Sequence, residues 1–521
     1  MKKTTCILAL FAVMLCKAQS DFPLLYKGEL PVDARWKTIN DDRSRVLTGD
    51  LTEIAMVDCK NGATLWKINF KTVFNQKKCQ SWSWDEDMQV VKLTFKGEDK
   101  TEEKVVLLND ETGTVVEKGT EKKKKLLVDR KTKSLKSWAY DAGSKTLLNL
   151  RYKMPLVVSS VKARTVKITV ESSGGYTWNT EIEGQIVRSI CSNASFSNFG
   201  GDYLDIDIVG DKVFVMYEGI SVLDLKTGKL LWTATFDNSE FDFGLMKQRQ
   251  TLGRAAMPLV ADNAVYVADL SKGNYKIKKY DLADGHLLWE SPAFSDDAIV
   301  PELKVIGNTL LARFGGIVEQ QTHIEGSSSV PERCISEPKM KGDFGVKAYD
   351  ISNGKLLWET SALKDKLGDK FGSSISNFES NGTQLFVASD KNLFAFEPHT
   401  GEVIYKVAID KLKIGRAQGL FMYNGNLVLE GDEGVAGFET AGGKLRYATN
   451  TDKFLGSQMA GDAYFVWIGK SPEERNRFIR LDLESGKILG KISDTHRPWF
   501  TPDGEEFVKF DDQKMFRYKT R

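Results

Sequence analysis

Histidine is scarce. The 521 residues contain only His286, His323, His399 and His496, too few for a multi-histidine metal centre. No Cys-x-x-Cys occurs, so zinc knuckles, thioredoxin-like exchange and c-type haem attachment lack their ligands. Net charge is nearly absent too: 73 Lys+Arg against 71 Asp+Glu leave +2, which argues against a polyanion-binding surface built from bulk charge. The run Lys122 to Lys125 reads as a solvated turn, and Glu473-Glu474-Arg475 likewise. A G-x-S-x-G elbow and a P-loop are both missing. Beyond the first residues no apolar stretch approaches the ~20 residues of a membrane helix, and long amphipathic helical periodicity is not found.

What the first residues hold is an export signal. Lys2 and Lys3 precede an apolar stretch from Cys6 to Leu15, too short to span a bilayer and suited to a signal core. Small residues at Cys16 and Ala18 place cleavage after Ala18. A lipid anchor on Cys16 is the less favoured reading, because the large Leu15 precedes it where a small residue is wanted. The chain is therefore expected to be exported, to the periplasm or beyond, with residues 1–18 as signal peptide and 19–521 as one domain. Cys59, Cys79, Cys191 and Cys334 remain, and in an oxidising compartment four cysteines allow three pairings.

Self-comparison organises the rest. A unit recurs in which a strand ends on an acidic residue, a glycine turn follows, and an outgoing strand carries an aromatic four residues after the glycine. Val222-Leu223-Asp224-Leu225-Lys226-Thr227-Gly228-Lys229-Leu230-Leu231-Trp232 and Ala348-Tyr349-Asp350-Ile351-Ser352-Asn353-Gly354-Lys355-Leu356-Leu357-Trp358 are the best copies. Tyr280 to Trp289 and Met56 to Trp66 are two more. Weaker copies centre on Gly113, Gly401, Gly443 and Gly486, with Tyr405 and Tyr447 in the Trp place in two and Gly490 there in the last. The glycines are spaced by 51, 115, 57, 69, 47, 42 and 43 residues, mostly near the ~40–50 of a four-stranded propeller blade. The gap of 115 has room for a degenerate blade.

Glycine accepts the positive φ of such turns, and the acidic residue is placed to accept hydrogen bonds from turn N–H groups. Trp66, Trp232, Trp289, Trp358, Tyr405 and Tyr447 are expected to pack between neighbouring blades as a structural lock, each burying ~150–250 Å² in the Trp case. The end Glu505 to Tyr518 lacks its glycine-aromatic arm, and Leu24-Leu25-Tyr26-Lys27-Gly28 resembles the missing strand. The N- and C-terminal strands are thus expected to pair and close the ring.

This A-x-D-x-x-T-G-K-x-x-W pattern resembles the repeat of the pyrroloquinoline-quinone-type (quinoprotein-like, BamB-like) β-propellers, over Met56 to Gly490. The resemblance implies an all-β propeller of four-stranded antiparallel blades, usually eight, with residues 71–200 as degenerate blades or an elaboration. The family holds both quinoprotein alcohol dehydrogenases and non-catalytic members. No adjacent cysteine pair and no haem site occur here, and no residue set matches the calcium and base positions of the enzymes. The expectation is a non-catalytic member with no cofactor; pyrroloquinoline quinone and calcium enter only under an oxidoreductase alternative.

Two features fall outside the repeat. Gly315 to Asp343 reads as a long exposed loop, a tolerated insertion or a binding element. Leu252-Gly253-Arg254-Ala255 and Ile414-Gly415-Arg416-Ala417 precede inner strands, so Arg254 and Arg416 are expected at equivalent places near a channel mouth. There they either bridge blades or grip a carboxylate or phosphate. The expected function is an exported scaffold, monomeric, that binds an envelope protein partner and no nucleic acid; a glycan- or small-ligand-binding propeller is the other alternative.

Overall fold

The structure, a computed structural model, describes residues 22–520 apart from 41–42, 86–88, 98–101, 123–131, 142, 156–163, 187–204, 237, 239, 244–246, 325–332, 369–370, 372–374, 390, 452, 470–475, 496–497, 502–503 and 512. The expected export signal, Cys16, Cys191, most of the lysine run and Glu473-Glu474-Arg475 lie outside the described residues.

The chain is an all-β propeller built from antiparallel sheets. Among the described residues there are ten, numbered here in chain order by the first strand of each four-stranded repeat unit: Trp36, Cys79, Thr132, Asp205, Leu259, Glu302, Glu379, Ala417, Phe454 and Trp499. This differs from the eight expected. The stretch 71–200 holds two of them, sheets 2 and 3, and sheet 3 hides from the repeat because its turn, Ser173-Gly174-Gly175, lacks the acidic residue at the usual spacing. Leu24–Glu29 pairs antiparallel with Lys514–Lys519 and completes sheet 10 from the other end of the chain.

Each sheet runs as a meander, so the glycine turns of all sheets point to one face, and the linkers between sheets, with the hairpins between second and third strands, point to the opposite one. The turns are built as the residue types dictate. Thr227 N–H donates to Asp224 Oδ1 at 2.7 Å, Ser352 N–H to Asp350 Oδ1 at 2.8 Å and Glu484 N–H to Asp482 Oδ1 at 2.9 Å. Gly228, Gly354 and Gly486 take φ of 68, 72 and 71°, where a side chain is strained.

Just after the glycine turn the third–fourth strand ladder slips in most of the sheets, for example between Val222 and Leu223, Ala348 and Tyr349, and Gly437 and Phe438, whereas sheet 3 pairs without a slip. Such a bulge turns consecutive residues outward. That is why Leu230 and Leu231, Leu287 and Leu288, and Ile488 and Leu489 are exposed, and it blunts the outer edge of the sheets that carry it.

Between sheets the aromatic residues close the core. The Trp232 ring covers Gly285, its Nε1 donating to Leu282 O at 3.0 Å; Trp289 covers Gly354 and donates to Ile351 O at 2.8 Å; Trp358 covers Gly401 and donates to Pro398 O at 2.8 Å. Trp66 covers Gly113, where a Cβ would sit 2.7 Å from its Cγ, and donates to Asp110 O at 2.7 Å. Tyr405 lies on Gly443, Tyr447 on Gly486 and Tyr26 on Gly62. Two members escaped the sequence reading. Trp178 covers Gly228 and donates to Leu225 O at 2.9 Å; its signal was present, since it stands four residues after Gly174. Phe22 lies against Gly490, filling the place where that repeat lacks an aromatic. Phe22 comes from the far end of the chain, so no local pattern announces it.

Cys59 and Cys79 are buried thiols, whereas Cys334 is disulfide-bonded. Two disulfides among the four cysteines are thereby excluded. Burial pushes the Cys79 thiol up from its ordinary value, which keeps it protonated and unreactive.

Two predictions follow from this packing. Trp358→Ala should lower unfolding free energy by about 3–5 kcal/mol and Trp358→Phe by about 1 kcal/mol, the worth of its hydrogen bond. Urea titration checks both; no loss in Trp358→Phe would mean that the indole N–H contributes nothing, and equal losses in the two variants would mean that the ring's packing contributes nothing. The turn carboxyls give a pH signature. The Ser485 hydroxyl holds Asp482 below the usual carboxylate range, and the Ser352 hydroxyl does so for Asp350. A lowered folded pKa contributes stability above the unfolded value of about 4 and loses it as pH falls through the folded value. The melting-temperature gap between wild type and Asp482→Asn should therefore shrink from pH 6 to pH 3; a constant gap would refute the assignment.

Candidate functional site

The sixth sheet departs from the others. The segment expected as a loop, Gly315 to Asp343, is mostly strand: Thr309–Ile324 and Arg333–Asp350 form one hairpin, paired from Thr309↔Asp350 to Phe314↔Gly345 and, past a register shift, from Gly316↔Lys341 to Ile324↔Arg333. Alternating residues such as Glu319-Gln320-Gln321-Thr322 carry too few aliphatics to read as strand, but a partner strand supplies the burial. That partner comes from another insertion. Lys247–Leu252 pairs with Glu319–Ile324, and Glu240–Phe243 pairs with Lys247–Leu252, giving a small leaf beyond the repeat unit.

The hairpin kinks where it leaves the blade. Gly315 and Gly342 both have positive φ, 70 and 82°, and a Cβ on Gly342 would lie 3.3 Å from Gly315 Cα. The bend brings two strands closer than side chains permit. Ile299 packs against Gly342, and Gly315 N–H donates to Ile299 O at 2.9 Å.

Arg254 braces the root of the leaf. Its residue is 5% exposed; Nη2 donates to Asp296 O at 3.1 Å and Ala298 O at 3.3 Å, and Nε lies 3.8 Å from Glu240. Glu240 also pairs with Lys341 at 3.5 Å, and Lys341 donates to Thr251 Oγ1 at 3.2 Å. Arg416 is different: its side chain is 89% exposed and, among the described residues, pairs with Asp432 alone, at 3.8 Å. The structure brings the two guanidinium groups onto no common partner. A buried Arg committed to carbonyls is not available to grip an anion, because leaving those carbonyls unpaired costs more than a surface contact returns.

Beneath the kinked hairpin, on the face of the inter-sheet linkers, lies a cleft of about 820 Å³. Phe294, Phe314, Phe344 and Phe371 form its apolar walls, and Asp297, Asp343, Lys347, Glu359 and Lys364 its charged margin. Phe294 and Phe314 meet edge to face at 5.2 Å. Lys347 lies over the Phe314 ring at 5.2 Å and pairs with Glu359 at 3.0 Å, while Ser361 Oγ donates to Glu359 at 2.6 Å. The Ser361 hydroxyl is the first cause holding the Glu359 carboxyl below its ordinary range.

At the inner side of the sheet, Glu302 takes Phe378 N–H, from the linker just before sheet 7, at 3.0 Å and Arg313 Nε at 2.8 Å; burial nevertheless pushes its pKa up. The cleft thus has apolar walls and charges of both signs at its margin, the make-up of a binding surface for an apolar side chain. Among the described residues, one acidic-histidine group, Asp281, Asp284 and His286, has ligand atoms close together. It is an exposed turn whose His286 ring already engages Asp284 at 2.6 Å.

The bracing role makes a prediction. Arg254→Ala should destabilise the protein by about 2–4 kcal/mol, since it leaves the Asp296 and Ala298 carbonyls without their donor, and Arg416→Ala should stay within about 0.5 kcal/mol. Chemical denaturation of the two variants checks this, and similar losses would remove the distinction.

The family model described as outer membrane protein assembly factor BamB matches residues 162–322 and 342–487, more than half of the chain, and skips the distal part of the hairpin between them. Among solved structures, BamB from Moraxella catarrhalis is 14% identical, covering 79% of this chain and 97% of its own, with a TM-score of 0.28. The Dos1 propeller is 9% identical, covering 75% and 92%, with a TM-score of 0.37. No curated protein matches the sequence at a significant level.

Proposed function

Because the chain belongs to the BamB-type family of PQQ-repeat propellers, we propose that it is an exported, non-catalytic scaffold that binds a protein partner of the cell envelope. The observation that carries the reading beyond family is the sixth sheet. There the fold adds a braced leaf and an aromatic cleft on the linker face, while the repeat residues, Trp66, Trp232, Trp289, Trp358, Tyr405 and Tyr447, are occupied in packing. Rigid scaffolds carry recognition on such additions. Among the described residues no helix is long and apolar enough to cross a membrane, so engagement with the envelope rests on export and on the partner.

Affinity capture from solubilised envelope with the tagged full chain, read by mass spectrometry, should enrich a defined envelope protein over a control propeller. In parallel, the chain incubated with pyrroloquinoline quinone, calcium and an electron-acceptor dye should show no turnover. Dye reduction, or a capture indistinguishable from control, would count against the scaffold reading.

A further inference from the structure

We propose that the partner is held as an extended segment added to the outer edge of the hairpin strand Arg333–Asp350, with an apolar side chain in the cleft and a basic residue opposite Asp343; this rests on the scaffold reading above.

The backbone makes the first argument. The strand has 18 residues, yet its outer neighbour Leu356–Glu359 pairs with it only over Lys347 to Tyr349. From Glu337 to Val346 no other described strand lies on that side. Val346 N–H, the first group past the ladder, is taken by the Thr360 hydroxyl at 3.0 Å, a side chain standing in where the strand partner ends. Pro338 sits within the strand opposite Glu319. Proline has no N–H to give and is confined to strand edges, so it both marks this edge as open and sets the far limit of an added strand.

Open edges are usually guarded by lysines. Here the guard is neutralised: Lys339 pairs with Glu337 at 2.9 Å, Lys341 with Glu240 at 3.5 Å and Lys347 with Glu359 at 3.0 Å. Asp343, exposed on the same stretch, has no ionic partner among the described residues. A cation on the incoming segment complements it.

Side chains make the second argument. Met340 is 56% exposed and its cross-strand neighbour Ile317 is 65% exposed, an apolar pair just beyond the kink. Asp343 to Lys347 line one wall of the cleft, and of these Asp343 to Gly345 also lie on the free edge. A strand added there would lie along the cleft mouth, so main-chain bonds would give affinity and the phenylalanine walls would select an alternate side chain. A lipid offers no ladder of amides, which is why the occupant is a polypeptide. The family model skips 323–341, so the far part of this edge, Glu337 to Lys341, lies outside the match while its cleft side lies within it.

The test places p-benzoylphenylalanine at Met340 or, on the opposite face, at Leu288, in the full chain irradiated with envelope extract. The expected result is a protein adduct from Met340 alone, mapping to an extended apolar segment that carries a Lys or Arg. A fluorescent synthetic peptide of that segment should then bind wild type at least about tenfold more tightly than Asp343→Lys or Phe344→Ala, and equally to Leu288→Glu. If capture by the native chain finds no partner, the scaffold reading fails and this inference with it. If a partner is captured but crosslinks at Leu288 only, or Met340 yields a second copy of this chain or lipid, or the Asp343→Lys affinity is unchanged, this inference alone is overturned.

Discussion

An aromatic ring laid over the glycine of the next sheet is the contact on which the rest of this molecule depends. The glycine must have positive φ to turn the hairpin, and it must lack a Cβ because the ring occupies that space. One residue thus meets a local and a tertiary demand at once. The indole N–H then finds the carbonyl three residues before the glycine, in the same turn the carboxylate has already ordered. A single hairpin cannot bury such a ring, so each sheet is stable only beside its neighbour, as expected of repeat architectures.

That dependence frees the linker face. Since the glycine-turn face and the inter-sheet cores carry the packing, hairpins between second and third strands and linkers between sheets vary in length without disturbing the lock. The sixth sheet uses this freedom twice, extending its central hairpin and recruiting the Glu240 to Leu252 strands from the linker between sheets 4 and 5. Arg254 turns the two insertions into one braced element: a buried cation surrounded by carbonyls has few alternative positions, and Glu240 passes that constraint on to Lys341.

Much of this was legible in the residues. The period of the Asp-Gly-Trp unit announces a propeller, and Tyr26 is recognisable as the strand missing from the C-terminal sheet. Sheet 3 was not, because its turn departs from the pattern, and with it the count of sheets was lost; Trp178 stood at the right spacing but in unfamiliar company. The hairpin read as a loop because its Gly, Ser and Pro content is that of a surface turn. Arg254 and Arg416 share a motif, yet one is buried and the other faces water, a difference set by what packs over them and not by their neighbours in the chain.

The chain by itself determined the unit: turn chemistry and strand alternation act over fewer than a dozen residues, so they are written locally and repeat visibly. Only the tertiary structure decided which distant segments meet, such as Phe22 on Gly490 and Lys247–Leu252 on the hairpin. The physical reason is that burial and strand pairing between remote segments depend on complementary surfaces and free hydrogen-bonding edges, properties that neither segment shows alone.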